Sequence, residues 1–252
     1  MFQQLPLMIL MLPAILLSLS VHEAAHGYVA YKLGDPTAKN LGRLTLNPLK
    51  HINPFGFIAM VVFSVGWANP VPINTRNFKN PRKGMAISAA AGPISNLCLA
   101  IIFAILLKIV MIPLQLEMDA ALMSSYTLTE VYETLHSNMS YTLLSLIAMM
   151  LFLGIILNVN LMVFNLIPLP PLDGSRMAYV FLPTETYFKI MQYEQYIMIG
   201  FIVLFALRVF DGPMEWFNTT VCDFLFKTLK MPENYLYVAL EDLKSRLPTF
   251  SL

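Results

Sequence analysis

Charge is what this sequence has least of. Asp, Glu, Lys and Arg make up 12% of its 252 residues, against 57% hydrophobic residues, and mean hydropathy is +0.65. That balance argues against a soluble domain and for one membrane domain. The formal net charge is +1 and no basic block occurs, so nucleic-acid binding has no support. Cysteine is also scarce. Cys98 and Cys222 stand far apart with no C-x-x-C pattern, which excludes a disulfide framework and a thiolate metal site and leaves apolar packing. There is no low-complexity tract and no repeat of fixed period. No positive region precedes the apolar N-terminus, so it reads as a retained span and not a signal peptide.

The missing charges leave long apolar runs. Met1 to Val21 has no charged side chain, and a helix is expected from about Leu5 to Leu33, where Gly34-Asp35-Pro36 stops it. At 1.5 Å per residue that is roughly 43 Å, enough to cross a bilayer and emerge. Arg43 to Leu46 alternates and suggests a strand or hairpin. Ile52 to Thr75 is uncharged but broken by Pro54, Gly56, Gly66, Pro70 and Pro72, so it reads as a short or re-entrant element. Gly84 to Leu107 and about Tyr141 to Phe164 read as spans, and Gln195 to Phe210 as a last candidate. The expected fold is an all-α polytopic membrane protein. It has about four to six membrane segments and a small membrane-associated β-hairpin or re-entrant element. Residues 1–211 form the membrane domain and 212–252 an interfacial helical tail.

Against this background one stretch stands out: His22-Glu23-Ala24-Ala25-His26, an H-E-x-x-H. On a helix the two histidines project from one face and reach one metal ion. Zinc fits, because it accepts imidazoles and a carboxylate and keeps a position for water. Glu23 stands ready to take a proton from that zinc-activated water. With only four histidines in the chain, chance is a weak rival. Charge and imidazole at the end of an apolar span are costly, and such residues are functional candidates by default.

A third ligand follows from topology. Lys and Arg gather at 32–50 and 76–83, while 113–140 holds Glu117, Asp119, Glu130 and Glu133 and no Lys or Arg. The positive-inside rule puts the first two regions in the cytoplasm and the third outside. The first helix and the Tyr141–Phe164 span then both run inward. That brings His26 and Asp173 to one depth at the cytoplasmic face, although they are far apart in sequence. Asp173 follows a helix-breaking run, Ile167-Pro168-Leu169-Pro170-Pro171-Leu172, and is the best candidate.

These motifs, with Ala91-Gly92-Pro93-Ile94-Ser95-Asn96 and Leu172-Asp173-Gly174, resemble the site-2 protease family of intramembrane zinc metalloproteases (peptidase M50). The resemblance covers about residues 8 to 210, in a short form without an inserted PDZ or appended CBS domain. It implies a metalloprotease of regulated intramembrane proteolysis, cutting membrane-anchored protein or peptide substrates within the lipid bilayer. One zinc per chain would be held by His22, His26 and Asp173, with Glu23 as base. The expected location is a bacterial cell membrane, with multiple passes and the site towards the cytoplasm.

Other polar residues have weaker claims. Asn165 is placed to hydrogen-bond a substrate backbone or developing oxyanion. Asn69 and His51 are candidate substrate contacts. Asn158 and Asn160 read as interhelical hydrogen-bonding groups. The alternative function is a non-catalytic, metal-binding membrane adaptor or chaperone of the same fold. Intact Glu23 favours the enzyme. A metal-ion transporter is weaker still, because two of the spans contain no acid or His.

Overall fold

The computed structural model describes residues 5–53, 56, 69–124 and 139–230. Three long helices dominate: α1 (Leu5–Lys32), α3 (Pro81–Ser124) and α4 (Met139–Leu166). Stretches of 24, 34 and 24 residues within them are long and apolar enough to cross a membrane. In hydrocarbon a chain must satisfy its backbone internally, and helix is the only single-segment solution. That is why these runs are helical despite Pro13 in α1 and Pro93 and Pro113 in α3.

Side-chain pairs give the helix directions. His26 of α1 meets the carbonyl of Ser88, and a Cβ on Gly92 would strike both His22 and His26, so α1 and α3 run antiparallel. Asn158 of α4 meets Ser18, and Gly154 lies near Ala14, so α1 and α4 run parallel. Lipid offers no hydrophobic drive for this association, so close packing must supply it. Small residues permit it: a Cβ on Gly154 would sit 2.6 Å from the Phe103 ring. The core joins Phe103, Ala104, Leu151, Ile155 and Val159.

Short elements complete the described chain. α2 (Thr37–Asn40) follows the Gly34 turn, and α5 (Asp173–Ala178) follows the proline-rich run. Then come α6 (Thr184–Gln192), α7 (Glu194–Ala206) and α8 (Asp211–Thr228). α8 lies antiparallel along α4, with Asn218 bonded to Asn160 at 2.7 Å and Phe226 near Phe152. Cys222, Leu225 and Phe226 enter the main core, and Lys108 of α3 donates to the carbonyl of Leu229. The beginning of the expected tail therefore packs into the bundle.

Two expectations need adjustment. Residues 43–46 contain no strand, with a bend at Leu44 and Thr45, and no sheet occurs among the described residues. The guanidinium of Arg43 reaches across to the carbonyls of Asn69 and Pro70, and the Asn69 amide donates to the His51 carbonyl, so a few cross-loop hydrogen bonds hold these loops together. The last candidate span is a helix of only 13 residues, α7, short of the ~20 that a bilayer requires. The centre of the expected re-entrant element, 57–68, lies outside the described residues.

Candidate metal centre

The end of the bundle where α1 finishes gathers the polar residues. His22 and His26 both face α3, and Asp173 arrives from the first turn of α5. Asp173 Oδ2 is 3.1 Å from Nε2 of each histidine, and the two Nε2 atoms are 3.0 Å apart. All three residues are buried.

Three features of the chain produce this convergence. The i, i+4 spacing turns both imidazoles to one side of α1. Gly92 leaves room for them: a Cβ there would lie 2.5 Å from His22 Cε1 and 2.5 Å from His26 Nε2. Gly174 lets α5 fold tightly under the end of α4, because a Cβ there would overlap the carbonyl oxygens of Leu166 and Ile167. The glycine of Leu172-Asp173-Gly174 is thus what allows the aspartate to reach the histidines.

The donor set fits a metal ion. His26 Nδ1 lies 2.7 Å from the carbonyl of Ser88, which can only accept, so Nδ1 carries the proton and Nε2 is bare. Asp173 Oδ2 is buried with no hydrogen-bond partner, although both imidazoles are close. Bare nitrogen and carboxylate oxygen facing one another need a cation between them. Tetrahedral zinc with ligands at about 2.0–2.1 Å has ligand–ligand edges of about 3.3 Å, close to the triangle observed.

Glu23, the chain neighbour of His22, is held from the loop side of α1. Its Oε2 accepts a 2.8 Å hydrogen bond from the amide of Val71. Gly27, one turn along, permits the approach, since a Cβ there would lie 3.0 Å from Val71 Cγ1. The loop carrying Val71 is tied down by Asp35. That fully buried carboxylate accepts from the Asn74 amide at 2.7 Å and from Asn77 Nδ2 at 2.7 Å. It also accepts from the amide and hydroxyl of Thr37.

Most of the chain fits a known pattern. A sequence profile of Peptidase family M50 matches residues 10–207.

The chain belongs to peptidase family M50.

It is 42% identical over 205 residues to "Putative zinc metalloprotease YwhC" of Bacillus subtilis (strain 168), covering 81% of this chain and 84% of that protein. It is 26% identical over 214 residues to "Putative zinc metalloprotease Rip2" of Mycolicibacterium smegmatis, covering 83% and 70%. The protein of the same name from Mycobacterium tuberculosis is 24% identical over 208 residues, covering 80% and 67%. No solved structure matches the chain. As an M50 member the protein is a zinc metalloprotease of the site-2 protease type and, with its apolar helices, a membrane protein.

The remaining sequence candidates stand apart from the triangle. Asn165 donates to the Leu161 carbonyl at 2.9 Å on the last turn of α4. Asn69 bonds Asn53 and the Ile52 carbonyl, and its amide meets the His51 carbonyl. His51 is buried, with Nε2 2.8 Å from the Thr45 carbonyl. Asn69 and His51 thus fasten the 45–53 loop to the segment that leads to Val71. Sequence reasoning missed Ser88, Gly92, Gly27 and Val71. Gly92 enters the sequence reading only within the Ala91–Asn96 motif that carries the family resemblance, and the four-residue offset of Gly27 from Glu23 is an available signal.

Proposed function

We propose that this metalloprotease hydrolyses peptide bonds in or near transmembrane segments of membrane-anchored proteins, from the cytoplasmic side of a bacterial cell membrane. One observation carries the reading. Both histidines lie within the apolar span Ile9–Lys32, and Asp173 meets them just beyond the end of Leu143–Leu166. A centre built there is within reach of a peptide held in lipid.

His22, His26 and Asp173 are the proposed ligands and Glu23 the proposed base. Zinc bound at those three supplies Lewis acidity towards water and the scissile carbonyl. Glu23 takes the proton of the attacking water and passes it to the leaving amine. The Val71 amide steadies Oε2 during both transfers and keeps the carboxylate turned towards the loop side of the site. Asn165, at the rim, is the proposed contact to the substrate carbonyl. Asn69 and His51 act on the substrate through the loop that they hold.

A transmembrane helix hides its peptide bonds in i→i−4 hydrogen bonds, so it must unwind before attack. Unwinding in hydrocarbon exposes polar groups at several kcal/mol each, and the enzyme must replace the lost bonds. The 167–172 run spends amides on itself, with Leu169 bonding Ile167 and Leu172 bonding Leu169. The irregular segment 69–74, whose Asn69, Val71 and Asn74 amides are likewise engaged, is the proposed edge for an added substrate strand because it lies beside Glu23. Selectivity then follows helix stability near the cut more than any one side chain. The test is a set of single-span substrates in which Gly, Pro or Asn near the cut becomes Leu. Cleavage should fall steeply, return when Gly is restored one or two positions away, and stop with chelator. Rates that follow one fixed side chain and ignore helix stability would sink the proposal.

A further inference from the structure

One turn beyond the metal triangle the bundle interior is polar. Four buried atoms there lack a hydrogen-bond partner: His22 Nδ1, both amide atoms of Asn96, and Asn158 Oδ1. Asn96 and Asn158 are 0% exposed. Unpaired polar groups are costly in any interior and more so at membrane depth. Their clustering calls for a physical account.

Their placement follows from the helix register. Ser88, Gly92 and Asn96 share one face of α3 at four-residue spacing. The Ser88 carbonyl takes His26, and Gly92 lies against both imidazoles. Because α1 and α3 are antiparallel, the next turn of α3 brings Asn96 to the level between His22 and Ser18. Asn158 reaches that level from α4, its Nδ2 bonding Ser18 Oγ at 2.8 Å and the Gly154 carbonyl at 2.7 Å. A carbonyl only accepts, so this contact fixes which end of the Asn158 amide is nitrogen and leaves Oδ1 as the orphan.

The chemistry of the four atoms is complementary. With Nε2 turned to a metal, neutral His22 carries its proton on Nδ1 and needs an acceptor. Asn96 supplies one in Oδ1, and its Nδ2 needs an acceptor in turn. Asn158 Oδ1 is that acceptor. We propose that His22 Nδ1–H is linked to Asn96 Oδ1 and Asn96 Nδ2–H to Asn158 Oδ1, each through one buried water that accepts from the donor and donates to the acceptor. Asn96 is then a positioning residue. It fixes the tautomer and ring plane of His22, as the Ser88 carbonyl does for His26. Outer hydrogen bonds of this kind raise ligand basicity and metal affinity. The inference rests on His22 being a zinc ligand, as proposed above.

Chelator competition on purified full-length protein tests it. Asn96→Leu, which suits a hydrocarbon interior, should weaken zinc binding about 10- to 100-fold. Asn158→Leu should weaken it less in the wild-type background and add nothing to Asn96→Leu, because it acts through Asn96. Asn96→Asp keeps an acceptor towards His22 and should hold zinc within about threefold; it also serves if the leucine variant does not fold. Nitrogen-15 spectra of labelled histidine supply a readout that packing alone would not move. The His22 Nδ1 proton should be exchange-protected in wild type and unprotected in Asn96→Leu. Wild-type zinc affinity in Asn96→Leu, additive losses with Asn158→Leu, or an unchanged spectrum overturns the relay. Full zinc in His22→Ala would instead overturn the ligand assignment, whatever Asn96 does.

Discussion

His22 and Glu23 are neighbours in sequence, yet opposite kinds of structure hold them. His22 and His26 face a helix: α3 supplies a carbonyl for His26 and, at Gly92, a surface with no side chain. Glu23, turned about 100° around α1, faces a loop and accepts a hydrogen bond from the backbone amide of Val71. The histidine side rests on helix packing within the membrane span. The glutamate side rests on hydrogen bonds that converge on Asp35, Arg43 and Asn69. Metal binding and base chemistry are therefore separable by mutation, although their residues alternate on a single helix.

The largest expected effects strike the helix side. His22→Ala, His26→Ala and Asp173→Ala should each lose most of the zinc and all measurable cleavage, since two remaining ligands do not make a closed site. Gly92→Ala should come close to them. It adds one methyl group, but at 2.5 Å from both rings, and a helix backbone cannot retreat without carrying Ser88 with it. Metal content per chain, measured after gel filtration, checks all four. Full zinc in Gly92→Ala would show that α1 and α3 separate more easily than their packing implies.

Next comes the loop side. Glu23→Gln keeps the size and the acceptor for Val71 but removes the base. Zinc should remain, and cleavage should fall by about 100-fold or more. Zinc lost together with activity would break the proposed separation between the two sides.

How legible was this site? The H-E-x-x-H pair was fully legible, because a four-residue spacing encodes its own geometry on a helix. The meeting of Asp173 with the histidines was legible through charge asymmetry, which put both at one end of the spans without any contact information. Ser88, Gly92 and Gly27 were not, because their roles depend on which helix or loop lies opposite, and no local pattern states that. The same reason explains Arg43 to Leu46. Alternation there reflects one side chain reaching Asn69 and Pro70 and another, Leu44, lying near Gly27. A strand would have shown the same pattern. In α8 mixed charge together with Trp216, Phe217, Phe224 and Phe226 suggests an interfacial helix, and of its residues Cys222, Leu225 and Phe226 enter the core.

The smallest expected effect lies furthest from the zinc. Asp35 anchors the loop that presents Val71 to Glu23, so Asp35→Asn should lower cleavage several-fold while zinc stays bound. It should also cost about 1–3 kcal/mol of stability, the usual penalty for upsetting a buried hydrogen-bonded group. Burial alone would raise the pKa of this carboxyl. The hydrogen bonds from Thr37, Asn77 and Asn74 outweigh it and hold the pKa below the usual value of 3.8. A lowered folded-state pKa stabilises the fold above the unfolded value, and that stability disappears as pH falls through the folded one. The gap in thermal midpoint between wild type and Asp35→Asn should therefore be full near neutrality and narrow below about pH 4. Melting curves of the metal-free proteins from pH 7 to pH 3 measure it. A gap that stays constant over that range would mean that the carboxylate's charge contributes nothing, and that Asp35 holds the loop by shape alone.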